Sequence, residues 1–346
     1  MRLSVLDQSA AVTGRSEAEA IRETLALARH CEALGYHRFW VSEHHNLPAI
    51  VGTAPEVLMA AIAATTSRIR IGSAGVMLPH YSALKVAEQF RVLEALAPGR
   101  IDLGLGRAPG GDMRTAQALN PNASGSAENF PAQVRDLQAW VGAREGQAHQ
   151  GIHAHPQGPT APEMWILGSS DYGAQLAAHF GLPYAFAYFF TDGQGAEQAM
   201  DLYQRLFKPS PRFPAPQSTL CVWALAADTE AQALHHAMSR ERWRVDRNRG
   251  VFGPLQAPDV VAALGFAPTD APTLRAMRER AFVGTAAQVG VKLRALAADF
   301  GLTELVVNTW AHDPLVRRRS YTLLAEEFSL SAAAAAAAPS TAAPST

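Results

Sequence analysis

The stretch Tyr36–Asn46, YHRFWVSEHHN, sets a glutamate, two imidazoles and an amide directly behind a run of aromatic and β-branched residues. Phe39-Trp40-Val41 has the composition of a fully buried strand. It gives way abruptly to Glu43-His44-His45-Asn46. Imidazoles titrate near neutral pH, so His44 and His45 could serve as acid, base or metal ligand. A pair of loop histidines making ordinary hydrogen bonds would look the same. A metal-dependent hydrolase is the weaker alternative, because adjacent strand residues point to opposite faces and make a poor ligand pair.

Further stretches could hold an anion. Gly104-Leu105-Gly106-Arg107-Ala108-Pro109-Gly110-Gly111 follows the apolar run from Ile101. Its glycines let backbone approach a ligand, and Arg107 offers a planar fork suited to phosphate. It is not a dinucleotide fingerprint: the third glycine falls one place late and no acidic ribose partner follows. Gly168-Ser169-Ser170-Asp171-Tyr172 opens a helix, where backbone N–H groups and two hydroxyls suit a phosphate or simply cap the helix. Arg107 and the Gly168–Ser170 turn follow consecutive strands and could hold one phosphate together. Gly72-Ser73-Ala74-Gly75 places small residues in a packed strand, leaving room for a flat ring or marking a bulge.

The elements that must position these residues alternate in type. Strands are expected at Leu3–Asp7, Phe39–Val41, Ile69–Leu78, Ile101–Gly106, Met164–Leu167, Tyr184–Phe189, Leu220–Ala226 and Glu304–Thr309. Helices are expected at Ser16–Leu34 (capped by Ser16, stopped by Gly35), Ala54–Ser67, Ser82–Ala97, Ser126–Val141, Tyr172–Phe180, Ala196–Phe207, Glu230–Val245, Ala286–Phe300 and Leu315–Phe328. Eight strand–helix units with no second composition regime predict one (β/α)8 TIM barrel over residues 1–330, of class α/β. In such a barrel the strand carboxyl ends carry the chemistry, which is where the stretches above fall. Gly142–Glu163 reads as an inserted excursion. Asp246–Val283, between strand seven and the last barrel helix, is longer than a connection needs and is expected to be a lid or a surface insertion. Helix Ala54–Ser67 is apolar or small nearly all round, which predicts a homodimer contact. The Ala/Pro/Ser/Thr tail 331–346 is expected to be disordered.

Composition narrows the class. Hydrophobic residues make up 48% and charged residues 18% of the 346, an ordinary globular balance. A net charge of −1 gives no reason to expect a nucleic-acid or anionic-membrane partner. Cys31 and Cys221 lack metal or redox spacing and are expected as buried thiols in a reducing cytoplasm. There is no secretory pattern, and no apolar run approaches the roughly 18 residues that span a membrane.

The chain resembles the bacterial luciferase-like flavin monooxygenases, in the alkanal monooxygenase alpha-chain-like subgroup. The resemblance rests on LGYHRFWVSEHHN, RIGSAGVMLPHYSALKVAEQF, LEALAPGRIDLGLGRAPGG, WILGSSDYGAQLAAHFGLP and VGTAAQVGVKLRALAADFGLTELVV, covering nearly all of residues 1–328. It implies FMN, used reduced (FMNH2), at the strand carboxyl ends. His44 then matches the family's catalytic histidine with His45 beside it, and Arg107 matches its phosphate-binding arginine. Ala74–Gly75 matches a non-prolyl cis peptide beneath the flavin ring, next to Ser73. Gly168, Ser169, Ser170 and Tyr172 complete the cofactor set. Two positions depart from luciferase: its reactive cysteine is Gly106 here, and a glutamate of its phosphate turn is Gly168. Both departures argue against light emission. The expected activity is therefore a two-component FMNH2/O2 monooxygenase acting on a small organic substrate such as an aldehyde. A separate flavin reductase would supply FMNH2, since nothing suggests tight NAD(P)H binding. The alternatives are a deazaflavin (F420) oxidoreductase on the same barrel and a non-catalytic flavin-binding paralogue.

Overall fold

Alternation of side chains along parallel strands decides this architecture. The computed structural model describes residues 1–108, 111–142 and 147–331, so the expected tail beyond Ser331 lies outside the described residues, as do Pro109 and Gly110. Its strands are β1 (Arg2–Asp7), β2 (Arg38–Val41), β3 (Arg70–Ser73), β4 (Val76–Met77), β5 (Ile101–Gly106), β6 (Glu163–Gly168), β7 (Tyr184–Phe186), β8 (Ser218–Ala227), β9 (Phe282–Thr285) and β10 (Glu304–Asn308). They pair in parallel in the order β10-β1-β2-β3-β5-β6-β7-β8, and β8 pairs back onto β10, closing the predicted barrel.

One residue in two faces the helices. Val5, Phe39, Val41, Ile71, Leu103, Ile166, Val222 and Val307 belong to one core shared with the surrounding helices. The other residues fill the barrel in layers. In the middle layer Leu6, Trp40, Trp165, Ala185, Cys221 and Val306 pack together, with the two indoles edge to face at 5.3 Å. Gly72 makes room for this: a Cβ there would lie 2.5 Å from Trp40 Cδ1. Both cysteines are buried free thiols, as expected.

Below the indoles lies a layer of charge. Arg38 is buried and reaches Asp102 Oδ2 at 2.9 Å, Glu163 Oε1 at 3.0 Å and Glu304 Oε1 at 3.0 Å. Trp40 Nε1 donates to Asp102 and Trp165 Nε1 to Glu163, each at 2.8 Å, and Arg70 also pairs with Asp102. Burial pushes the Asp102 carboxyl up, but the Arg38 and Arg70 guanidiniums outweigh it and hold the group down at about 2.

Several element limits differ from expectation. The third strand breaks after Ser73, and Val76–Met77 resumes against β5 as β4. The Ser73 hydroxyl explains the break: it donates to Gly104 O at 2.9 Å and accepts from Gly104 N at 3.0 Å, pinning the two strands together. Only glycine fits at 104, since a Cβ would lie 2.1 Å from Ser73 O. The helix expected at Ala54–Ser67 is Pro55–Ala63, because the Thr65 and Thr66 hydroxyls bond to the carbonyls of Ala61 and Ile62 and end it. Its Met59 and Ile62 are fully buried in this chain's own core, while Val57 is 63% exposed. The sixth barrel strand stops at Phe186, and Tyr188–Thr191 turns helical instead. Of the stretch expected at Ser126–Val141, only Phe130–Gly142 is α-helical.

Two elements escaped the sequence altogether, the helix Met113–Leu119 and the strand β9. Phe282–Thr285 pairs with Ala224–Ala227, the part of β8 that rises above the closed barrel. The Asp246–Val283 segment thus ends in a strand. Leu255 is tied to the loop after β1 by hydrogen bonds with Ala11 and Thr13.

Removing Arg38 would leave Asp102, Glu163 and Glu304 buried without their central cation. Arg38→Met is expected to destabilise the fold by about 3–5 kcal/mol in denaturant melts. The Asp102 contribution should be complete above an unfolded aspartate's pKa of about 3.9 and be lost as pH falls from there toward 2. Unchanged stability in the variant would show that the cluster is not centred on Arg38.

Candidate active site

The alternation that builds the barrel carries past the end of β2. Arg38 and Trp40 point inward, and Ser42 and His44 continue that line. His44 reaches the mouth half-buried, with Nδ1 3.2 Å from Ser42 Oγ. Burial pulls its imidazole down to about 4, against the smaller opposing pull of Glu43, so the ring is neutral at physiological pH. Glu43 and His45 take the other side. His45 Nε2 lies 2.8 Å from Glu43 Oε1, and Glu43 also accepts from Tyr81 Oη at 2.6 Å and from Met77 N at 3.0 Å. The sequence offered both histidines as catalytic; the structure sends His44 to the mouth and ties His45 to a buried carboxylate.

The mouth encloses a cavity of about 530 Å³. Gln8, His44, Asn308, Trp223 and Trp310 line it from the barrel end, with Leu47 and Ile50 from a loop and Phe189 and Phe190 from the short helix Tyr188–Thr191. Gln8 Oε1 accepts from Asn308 Nδ2 at 2.6 Å and from Trp310 Nε1 at 3.1 Å, which fixes the floor. Helix Glu230–Asn248 forms the opposite wall with Arg240, Trp243, Arg244 and Arg247, and Phe252 follows from the inserted segment. That is where a lid would begin. A second cavity, of about 420 Å³, lies at the other end of the barrel around Arg2, Arg70 and Glu304, away from every predicted site residue.

The phosphate candidates converge as the strand order requires, since β5 and β6 are neighbours. Arg107 is exposed and stacks on Tyr172, its guanidinium carbon 4.0 Å from the ring centroid. Among the described residues it has no ion-pair partner. Ser170 caps helix Asp171–Phe180 without a side-chain hydrogen bond, so its hydroxyl is not spent on the helix. The neighbouring Asp171 carboxylate is engaged by Gln198 Nε2 at 2.5 Å. Gly168 and Ser169 are half-buried on the same turn. Ala74 and Gly75 are joined by a cis peptide bond and remain partly exposed, whereas Ser73 is buried in its clamp on Gly104.

The cavity walls were not legible as site residues. Gln8 and Asn308 are polar ends of apolar strands, a pattern that alternation could have flagged. The arginines at 240, 244 and 247 recur at i, i+4 and i+7 around Trp243, a basic-aromatic stripe that helix periodicity could also have shown.

Known proteins of this architecture agree with the sequence motifs. The family described as luciferase-like monooxygenase matches residues 1–304. YwcH of Bacillus subtilis (strain 168) is 43% identical over 331 residues, 94% of this chain and 98% of its own. A luciferase-like monooxygenase of Escherichia coli (strain K12) is 39% identical over 320 residues, 92% of this chain and 95% of its own. The Bacillus subtilis (strain 168) N-acetyl-S-alkylcysteine monooxygenase is 35% identical over 329 residues, 94% and 98%. The crystal structure of apo-MsnO8 superposes with a TM-score of 0.87 at 37% identity, covering 95% of this chain and 98% of that one. More distant structures share the fold. The oxygenating constituent of 3,6-diketocamphane monooxygenase from Pseudomonas putida, in complex with FMN, has a TM-score of 0.69 at 19% identity, covering 96% and 98%. An F420-dependent secondary alcohol dehydrogenase has a TM-score of 0.64 at 15% identity, covering 94% and 97%. The chain belongs to the luciferase-like monooxygenase family.

Proposed function

We propose that this protein is an FMNH2-dependent monooxygenase supplied with reduced flavin by a separate reductase. The observation that carries the reading is an exposed Arg107 just past β5, without an ion-pair partner among the described residues, beside an uncommitted Ser170 cap, with His44 held neutral at the same mouth. The residues fit FMN. Arg107, Ser169, Ser170 and the helix N-terminus at Asp171 would hold the phosphate, with Tyr172 keeping the guanidinium flat. Ala74 and Gly75 present backbone with little side chain, which suits a planar ring. When bound and reduced, FMN supplies the activation of O2 from which one oxygen atom passes to the substrate.

His44 does the proton work in this reading. Ser42 engages Nδ1, and among the described residues Nε2 has no protein partner. A neutral imidazole can donate or accept a proton at Nε2, but at neutral pH it does not start as an imidazolium acid. His45, on Glu43, orients the turn that carries His44. The tryptophans and phenylalanines of the cavity exclude water, which would otherwise divert reducing equivalents to hydrogen peroxide.

The histidine is expected to titrate near pH 4 when followed by imidazole NMR and assigned by loss of its signal in His44→Gln; titration near 6.5 would contradict its burial. For turnover, protein, reduced FMN and ¹⁸O2 are mixed with a panel of aldehydes, ketones and thioethers. Product should gain one ¹⁸O atom. His44→Ala should keep FMN binding while losing about 10²–10⁴-fold in product, with hydrogen peroxide in its place. Label-free product, or undiminished coupling in the variant, would remove the assignment.

A further inference from the structure

The cavity beside His44 carries more cation than its surroundings balance. Arg240, Arg244 and Arg247 all line it, and no aspartate or glutamate does. Arg244 is ion-paired: Nη2 donates to Asp192 Oδ2 at 2.7 Å and Nη1 to Phe189 O at 3.2 Å. Arg240 and Arg247 have no carboxylate among the described residues. Arg240 makes only a 3.4 Å bond to Phe189 O and lies 4.2 Å over the Trp223 ring. Arg247 lies 5.5 Å from the ring centroids of Phe190 and Trp243. Three guanidiniums against one carboxylate leave two positive charges on an otherwise aromatic wall.

Hydrogen bonding points the same way. Three buried donors on lining residues have no hydrogen-bond partner among the described residues: Trp223 Nε1, Trp243 Nε1 and Arg244 Nε. All can only donate. Buried donors left unmatched are costly, and they add no acceptor or negative charge to offset the guanidiniums, so it is the charge of Arg240 and Arg247 that favours an anionic occupant. Burial, then the charge of Arg244, pulls Arg240 down to about 9, so it is still cationic at neutral pH and would be relieved by a counter-anion.

We propose that this cavity binds an organic acid, its carboxylate held by Arg240 and Arg247 and its apolar body lying on Trp223, Trp243 and Trp310. The guanidinium forks match a carboxylate, and Trp243 and Trp310, 4.8 Å apart and edge to face, give an apolar body a surface. A neutral aldehyde can accept a hydrogen bond but leaves the charge unused. The proposal deepens the monooxygenase reading by naming the charge of the substrate. It rests on that reading for the fate of the bound acid, not for the binding.

Calorimetric titration of the wild-type chain with 3-phenylpropanoate and octanoate, each beside its primary amide, tests it without turnover. At least one acid should bind about tenfold or more tightly than its amide, and added salt should weaken the acid alone. The double variant Arg240→Gln/Arg247→Gln, checked for fold by circular dichroism, should lose that preference. FMN binding, followed in the same proteins by flavin fluorescence, separates the two readings. Acids that bind while FMN does not would uphold the anion site and remove the monooxygenase reading. The proposal is overturned if neither acid binds, if acid and amide bind alike, or if the folded double variant keeps its preference. It is equally overturned if that variant loses FMN and retains the acid.

Discussion

Everything at the mouth depends on the period of two along β2. Arg38, Trp40, Ser42 and His44 share one face, and Phe39, Val41, Glu43 and His45 share the other. A slip of one residue would put His45 at the mouth and drive Arg38 into the hydrocarbon between barrel and helices. That slip is prevented from below, since Arg38 finds its carboxylates only inside the barrel. The charged layer, the indole layer and the reactive layer are successive turns of one alternation. A stability feature at one end therefore fixes which histidine serves the other.

The two ends treat buried charge oppositely. At the closed end Arg38 meets Asp102, Glu163 and Glu304; Ser4, Trp40 and Trp165 donate to the same three oxygens, and Arg70 takes the other Asp102 oxygen. Such a cluster holds a register even where its net stabilisation is small. At the open end Arg107, among the described residues, meets a tyrosine ring, and Arg240 and Arg247 meet indole and phenyl faces. Cation–π contact offsets little of a guanidinium's desolvation, roughly 0.5–2 kcal/mol. Charges balanced within the protein give structure, and charges left to aromatic faces await an anion. His44 lines the cavity with Arg240 and Arg247, kept neutral by desolvation, and its Nε2 has no protein partner among the described residues.

Much of this was legible in the sequence because alternation and punctuation are local. Ser16 and Gly35 bound the first helix as read: Ser16 and Glu19 form a capping box, and Gly35 has a positive φ of 88°. The strands β1, β2, β5 and β6 were found within a residue of their limits. His44 and Arg107 stood out as candidates because polar residues end apolar runs there. What escaped is what distant contacts decide. Phe282–Thr285 is a strand only because β8 overshoots the barrel. Ser73 reads as a small residue beside a ring, but its hydroxyl clamps Gly104, thirty-one positions on. The arginine face of helix Glu230–Asn248 became part of a site only when the fold laid it across from Trp223 and Trp310.

The proposed function requires flavin mononucleotide to be anchored at Arg107. Fluorescence titration of the wild-type chain and Arg107→Ala with FMN and with riboflavin, which lacks the phosphate, tests it most directly. Wild-type protein should bind FMN more tightly than riboflavin, and the variant should lose about 1.5–3 kcal/mol for FMN while its riboflavin affinity stays unchanged. Equal affinity of wild type and variant for FMN, or an equal loss for both flavins, would contradict the account.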